Sequence, residues 1–234
     1  MRQALLLLAD SRLPAGAHAH SGGVAPAVDA DLVGGHGRDL AEVVEFLRGR
    51  LHTAGLLAAA VAARAAHLAA EADRSPATAS GASPGWAELD AEVDARTPAP
   101  AQRAVSRAQG RALLRVARRA FPHPLLDALG THPHHPVALG VAVHAAAGTP
   151  AEAAAVAVAG AVSGPASAAV RLLGLDPLAL TAAQAALATT ADAVVAEAAR
   201  YADQPTDALP APSAPLLDLL AQAHARSEVR LFAS

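Results

Sequence analysis

Gly148-Thr149-Pro150-Ala151-Glu152-Ala153-Ala154-Ala155-Val156-Ala157-Val158-Ala159-Gly160-Ala161-Val162-Ser163 is the stretch that decides the fold. Thr149 and Glu152 have the spacing of a capping box, in which each side chain satisfies the other's exposed backbone N–H. Pro150 stands at the first helical position, where its missing N–H costs nothing. The run that follows is mostly alanine, the residue with the highest helix propensity. Ser83-Pro84, Thr97-Pro98 and Asp176-Pro177 repeat the device, and Gly148 and Gly174 sit where a preceding helix would end.

The composition extends this reading to the whole chain. Of 234 residues, 53% are apolar but only 2% are aromatic. Strand formers are therefore scarce, and the expected architecture is all-α: one compact bundle of about ten helices over residues 1–234. The helices are expected at Arg2–Ala9, Val24–Ala30, from an Asp39 cap to Leu51, and at Leu56–Ala72. They continue at Trp86–Arg96, Pro98–Ala120, Pro124–Leu129, Pro136–Ala147, Pro150–Ser163, Ala166–Leu173, Pro177–Tyr201 and Pro215–Ser227. Gly49, Thr53 and Gly55 suggest a break between the third and fourth of these, and Ser163-Gly164-Pro165 another. Residues 73–84 read as a mobile surface loop and 203–215 as a Pro-rich connection.

A net charge of -3 gives no general attraction to nucleic acid or an anionic membrane. The absence of cysteine removes disulfides, thiolate metal sites and a cysteine nucleophile, and is compatible with a cytoplasmic location. No signal-peptide pattern opens the chain, and the only long apolar runs without charge are weakly hydrophobic and Ala-rich. Phosphate-binding, nucleophile-elbow, zincin and EF-hand signatures are all missing, so no catalytic residue is nominated.

Two constellations stand out. Arg103, Arg107, Arg111, Arg115 and Arg119 form a slowly turning ridge, with Val105, Ala108, Ala112, Leu113, Val116 and Ala120 expected on the buried face. The ridge is either a docking surface for an acidic partner or a solvated face paired with Glu88, Asp90, Glu92 and Asp94. His132, His134 and His135 form the densest imidazole cluster; such rings bind Ni²⁺, Zn²⁺ or Cu²⁺, but the flanking prolines favour a simple turn into a helix. His36, His52, His67, His144 and His224 read as isolated structural residues.

Against that frame, Leu8 through Gly23, with Asp10-Ser11-Arg12-Leu13-Pro14-Ala15-Gly16-Ala17-His18-Ala19-His20-Ser21-Gly22-Gly23, resembles the N-terminal signature of the urease accessory protein UreF family. Arg103–Leu114, with Arg107, Gln109, Gly110 and Arg111, is similar to that family's central Arg-Gln-Gly-Arg helix. His135–Gly140 resembles the segment after it, and Ser227–Ser234 its closing Arg-Leu-Phe-x-Ser. Departures occur at Ala17-His18, at Val24-Ala25-Pro26 and around Leu173–Leu178.

The resemblance implies a non-enzymatic chaperone that joins UreD (UreH) and the GTPase UreG for nickel insertion into apo-urease, as a dimer within the complex. Nickel and GTP would be handled by the wider assembly, with no cofactor of this chain's own. Partner contacts are expected at Pro14, Gly16, His20, Ser21, Gly22 and Gly23, at Arg107, Gln109, Gly110 and Arg111, and at Arg230, Leu231, Phe232 and Ser234. Leu231 and Phe232 either anchor on the UreD-like partner or cap the protein's own core. The alternatives are a nickel chaperone using His132, His134 and His135 or His18 and His20, and a helical small-molecule enzyme.

Overall fold

The computed structural model describes residues 3–16, 19–35, 40–74, 85–227 and 232. Its elements in order are α1 (Gln3–Ala9), α2 (Val24–Asp29), α3 (Leu40–Arg50), a π turn (Leu51–Gly55), α4 (Leu56–Arg74), α5 (Trp86–Arg96) and α6 (Pro100–Ala120). Then come α7 (Pro124–Ala128), α8 (His135–Ala145), α9 (Pro150–Leu173), α10 (Pro177–Ala186), α11 (Ala188–Ala199), a 3-10 turn (Thr206–Ala208) and α12 (Pro215–His224). The fold is all-α, as the composition requires.

Helix α9 opens as expected. The Thr149 hydroxyl accepts from the Glu152 N–H at 3.2 Å, and the Thr149 N–H donates to the Glu152 carboxylate at 2.9 Å. Asp176 caps α10 by accepting from the Leu178 N–H at 2.9 Å, and Gly174 closes α9 in the left-handed region. The corresponding place after α8 falls to Ala147, with φ 60°, and not to Gly148.

Several boundaries differ from the sequence reading, among them the end of the last helix at His224 where Ser227 is expected. α9 runs unbroken through Pro165. The proline removes a single N–H, and neighbours on both faces hold the helix in line. The break near Gly55 is a π turn, so Leu40–Arg74 is one continuous rod. There the Thr53 hydroxyl donates back to the Gly49 carbonyl at 2.9 Å. α6 begins at Pro100, because Thr97 instead ends α5 and the Thr97 and Pro98 carbonyls accept from Arg103. The expected Pro177–Tyr201 helix bends by 49° between α10 and α11. Leu187 at the bend is buried and is followed by β-branched Thr189 and Thr190, which are weak helix formers. Asp73 and Arg74, read as loop, complete α4. Residues 75–84, with the Ser83-Pro84 start, and the Asp39 cap lie outside the described residues.

The centre is formed by α4, α8 and α9, with α11 and α6 packed around them. The α4 face is nearly all alanine: Ala59, Ala60, Ala62, Ala63 and Ala65 are fully buried. Small side chains let backbones approach closely, and Gly140 of α8 completes the seam. A Cβ there would overlap the Ala62 carbonyl oxygen and lie 2.6 Å from the Ala65 Cβ. By length and composition alone, Leu40–Arg74 and Pro150–Leu173 are long and apolar enough to cross a membrane. In the fold, 61% and 56% of their most apolar windows are buried inside the protein. The Pro-rich connection is pinned to α5, where Arg96 donates to the Asp207 carbonyl at 2.8 Å and the Leu209 carbonyl at 3.2 Å.

Candidate functional site

One cavity of about 560 Å³ gathers distant stretches of the chain. The opening loop contributes Asp10, Ser11, Arg12, Leu13, His20 and Gly22. α3 and α4, with the π turn between them, contribute Arg50, Ala54 and Ala58; α6 contributes Gln109 and Leu113; and α8 contributes His135 and Pro136. Gly160, Ser163, Gly164, Pro165, Ser167 and Arg171 of α9 complete the wall. Three blocks that the sequence places far apart thus meet here.

The loop is shaped from within. Arg12 donates to both Asp10 carboxylate oxygens, at 2.7 Å to Oδ2 from Nη2, and these bonds hold the carboxyl down at about 2. Ser21 is fully buried, and its hydroxyl accepts from the Ala25 N–H at 3.2 Å. Gly22 and Gly23 both have positive φ, and a Cβ on Gly22 would press on Pro165 at 2.7 Å. Ser21, Gly22 and Gly23 therefore build the loop's frame, while Pro14 is exposed and Gly16 half-buried. His18 lies outside the described residues.

The ridge on α6 divides in two. Arg107 donates to Asp90 Oδ2 and Asp94 Oδ2, both at 2.6 Å, and to the His132 carbonyl at 2.8 Å. Arg103 also faces Asp94, at 3.7 Å. This half is the pairing with the acidic helix. Arg111, Arg115 and Arg119 are exposed, and no described acidic group pairs with them. The buried face is Gly110, Leu113, Leu114 and Ala117; of the other residues expected there, Val105, Ala108, Ala112 and Val116 are half-buried, and Ala120, the last residue of the helix, is exposed.

The three clustered histidines diverge. His134 is fully buried, with Nε2 2.9 Å from Asp94 Oδ1 and Nδ1 2.9 Å from the Ser106 hydroxyl. Its backbone N–H donates to Asp90 Oδ1 at 2.8 Å. Burial lowers its pKa and outweighs the carboxylates. For Asp94, burial pushes up, but the hydrogen bonds from His134 and Arg107 win and the net shift is down. Ser106, His134 and Asp94 have the side-chain types of a hydrolase triad, yet none lines the cavity, so the trio ties α5, α6 and α8 together. His132 is exposed, 2.6 Å from the Thr131 hydroxyl. His135 faces the cavity, where burial and nearby His20 hold its imidazole down at about 4.

At the C-terminal end Phe232 is buried against Ala25 and Ala168. The Arg171 guanidinium sits 4.3 Å over its ring, and the Phe232 carbonyl accepts from buried His224 at 3.0 Å. Phe232 thus caps the protein's own core. Arg230, Leu231 and Ser234 lie outside the described residues.

Two features escaped the sequence reading. Arg50 carries no motif, and only the fold places it against the cavity. His144 is not isolated: its Nε2 is 2.6 Å from Asp73 Oδ2, and His123 Nε2 reaches the same oxygen at 3.3 Å. These are the one group among the described residues whose ligand atoms could surround a metal ion. His123 Nδ1, however, accepts from the Leu125 N–H at 3.3 Å, so in the neutral ring the proton sits on Nε2 and points at Asp73. No sequence signal joins positions 73, 123 and 144.

The sequence profile of the UreF family matches residues 37–188. The chain is 45% identical over 230 residues to the urease accessory protein UreF of Mycolicibacterium vanbaalenii, covering 98% of this chain and 97% of that one. The chain belongs to the UreF family. It is also 47% identical over 235 residues to the UreF of a Mycobacterium species (strain JLS), and 43% identical over 230 residues to that of Mycobacterium marinum, with the same shares covered. In this UreF-family chain the opening loop, Gln109 of α6 and the His135 segment line one cavity.

Proposed function

We propose that the chain is a cytoplasmic, non-enzymatic scaffold that joins a UreD/UreH-like protein and a UreG-like GTPase on the urease apoprotein for nickel insertion, acting as a homodimer within that assembly. The observation that carries this is likeness to urease accessory proteins over 98% of the chain. The exposed Arg111, Arg115 and Arg119 supply a basic strip for an acidic partner surface. Pro14, Gly16 and His20 contribute from the opening loop and Gln109 from α6, while Gly22, Gly23 and Gly110 keep those surfaces in shape. The tail Arg230–Ser234 docks on the UreD-like partner through its residues other than Phe232, which packs against the chain's own Ala25 and Ala168.

Co-expression tests this reading. The chain should co-purify with a UreD-like protein and a P-loop GTPase, and urease activation should fail without it. Truncation after Val229 should abolish co-purification with the UreD-like protein while leaving helicity intact. Unchanged binding by the truncated chain would overturn the tail assignment.

A second reading, a nickel chaperone in its own right, would need the Asp73, His123 and His144 grouping to give up the Leu125 cap, because His132, His134 and His135 point apart. Calorimetry with Ni²⁺ on the isolated protein separates the two, because a submillimolar site belongs only to the second.

A further inference from the structure

Arg50 is the last residue of α3, immediately before the π turn. Its Nε is buried and finds no hydrogen-bond acceptor among the described residues. No described carboxylate pairs with it, and burial alone pulls the guanidinium down to about 10. An isolated buried charge is costly unless something compensates it. The side chain lines the cavity, and the absent Cβ of Gly22 leaves room beside it: a carbon there would lie 3.2 Å from the Arg50 Nε and Cζ.

The surroundings have the matching chemistry. Ser163 and Ser167 of α9 and Gln109 of α6 bring neutral polar groups to the same wall. His20 and His135 stand there as imidazoles, and the one carboxylate among the described residues of the wall, Asp10, is already engaged by Arg12. The π turn is the second, independent mark. It inserts a residue directly after Arg50, and such turns gather at ligand-binding places in helices. Arg50, Ala54 and Ala58 all line the cavity through that widened turn.

We infer that this cavity binds a small oxyanion, held by the Arg50 guanidinium. A guanidinium offers parallel N–H donors that match a carboxylate or phosphate edge. The flanking hydroxyl and amide groups can donate to the remaining oxygens. The same charge works against a free metal cation in this cavity. The inference stands apart from the scaffold role, since a scaffold needs no anion here.

The test uses the full chain labelled with ¹⁵N at arginine, titrated with sodium acetate and, separately, sodium phosphate. Sodium chloride holds the ionic strength constant. The expected result is a saturable shift of the Arg50 Nε–Hε resonance with at least one of the two anions. Thermal stability should rise with that anion relative to chloride. In Arg50→Gln, which lacks that resonance, the thermal stabilisation should weaken at least tenfold, while Arg115→Gln on the exposed ridge should leave both effects intact. A response that does not saturate, that chloride reproduces, or that survives in Arg50→Gln overturns the inference. If Arg50→Gln does not fold, the wild-type titration decides alone, since a silent Arg50 resonance is equally fatal. Acetate without phosphate would define a planar carboxylate site, and phosphate without acetate a tetrahedral one.

Discussion

Gly110 of α6 and Pro133 of the α7–α8 connection meet backbone to backbone. A Cβ on Gly110 would overlap the Pro133 carbonyl oxygen and lie 3.0 Å from both the His134 carbonyl carbon and the His135 nitrogen. This contact fixes the segment that carries His134 into its pocket and His135 into the cavity. Alanine at 110 would gain about 1 kcal/mol of helix propensity. The clash falls on backbone that cannot rotate away, so the net effect should be a loss of about 2 kcal/mol or more. Gly49→Ala is the control: nothing lies within 4 Å of its Cβ position, and it should gain up to about 1 kcal/mol. Urea unfolding of both variants measures the difference. A Gly110→Ala protein as stable as wild type would contradict the packing described.

Acid should weaken the fold through its buried imidazoles. His135 is held down at about 4 and His134 is also lowered, both mainly by burial. Above pH about 6.5 these rings are neutral, folded or unfolded. As pH falls below that, the unfolded chain takes up protons that the folded chain refuses, so stability drops. For His135 the drop continues until the folded ring itself protonates near 4. One such group gives a slope of up to about 1.4 kcal/mol per pH unit. His135→Gln should flatten the pH dependence of unfolding in this window. An unchanged slope would show that His135 titrates normally.

Ala147 occupies a left-handed conformation, with φ 60°. For an L-residue with a Cβ this costs roughly 1–2 kcal/mol, and glycine is free of that penalty. Ala147→Gly should therefore raise stability by about 1 kcal/mol, after allowing for the greater freedom of the unfolded chain. A thermal melt is sufficient to see it, and a lower melting temperature would refute the assignment.

Asp73 holds two imidazoles, and the Leu125 cap fixes which nitrogen of His123 bears the proton. Metal binding through Nε2 would require the ring to change tautomer and release that cap. Ni²⁺ or Zn²⁺ should accordingly bind this group no better than millimolar, and Asp73→Asn should change metal affinity little. A submillimolar isotherm lost in Asp73→Asn would overturn this expectation and favour the nickel-chaperone reading.

Helix starts with a cap and a proline were readable where they were local. Thr149 and Asp176 behave as their neighbours dictate. Thr97 does not, because Pro100 two residues after Pro98 competes for the same role and Arg103 claims the Thr97 and Pro98 carbonyls. Pro165 misled for a related reason: a proline threatens a helix locally, but tertiary packing around α9 outweighs the loss of one hydrogen bond. At the site, the opening loop, Gln109 and His135 were recognisable as separate blocks. Their meeting in one cavity was not, since nothing in linear order states which faces converge. Arg50 was invisible for the same reason. Its significance lies in the partners it lacks, and these can be counted only in three dimensions.

The alanine seam between α4 and α8 has a further consequence. Alanine has no side-chain rotamers, so closing the seam costs no rotamer entropy. Equally, it leaves no rotamers with which to absorb a change. A core of leucines accommodates an extra methylene by turning a side chain; here the only thing that can move is a whole helix. Along Ala59–Ala66 and at Gly140, enlargement should be barred almost position by position. Variation among such chains should then be displaced outward, to the exposed leucines of α10 and α12, where Leu178, Leu216 and Leu219 stand clear of the interior.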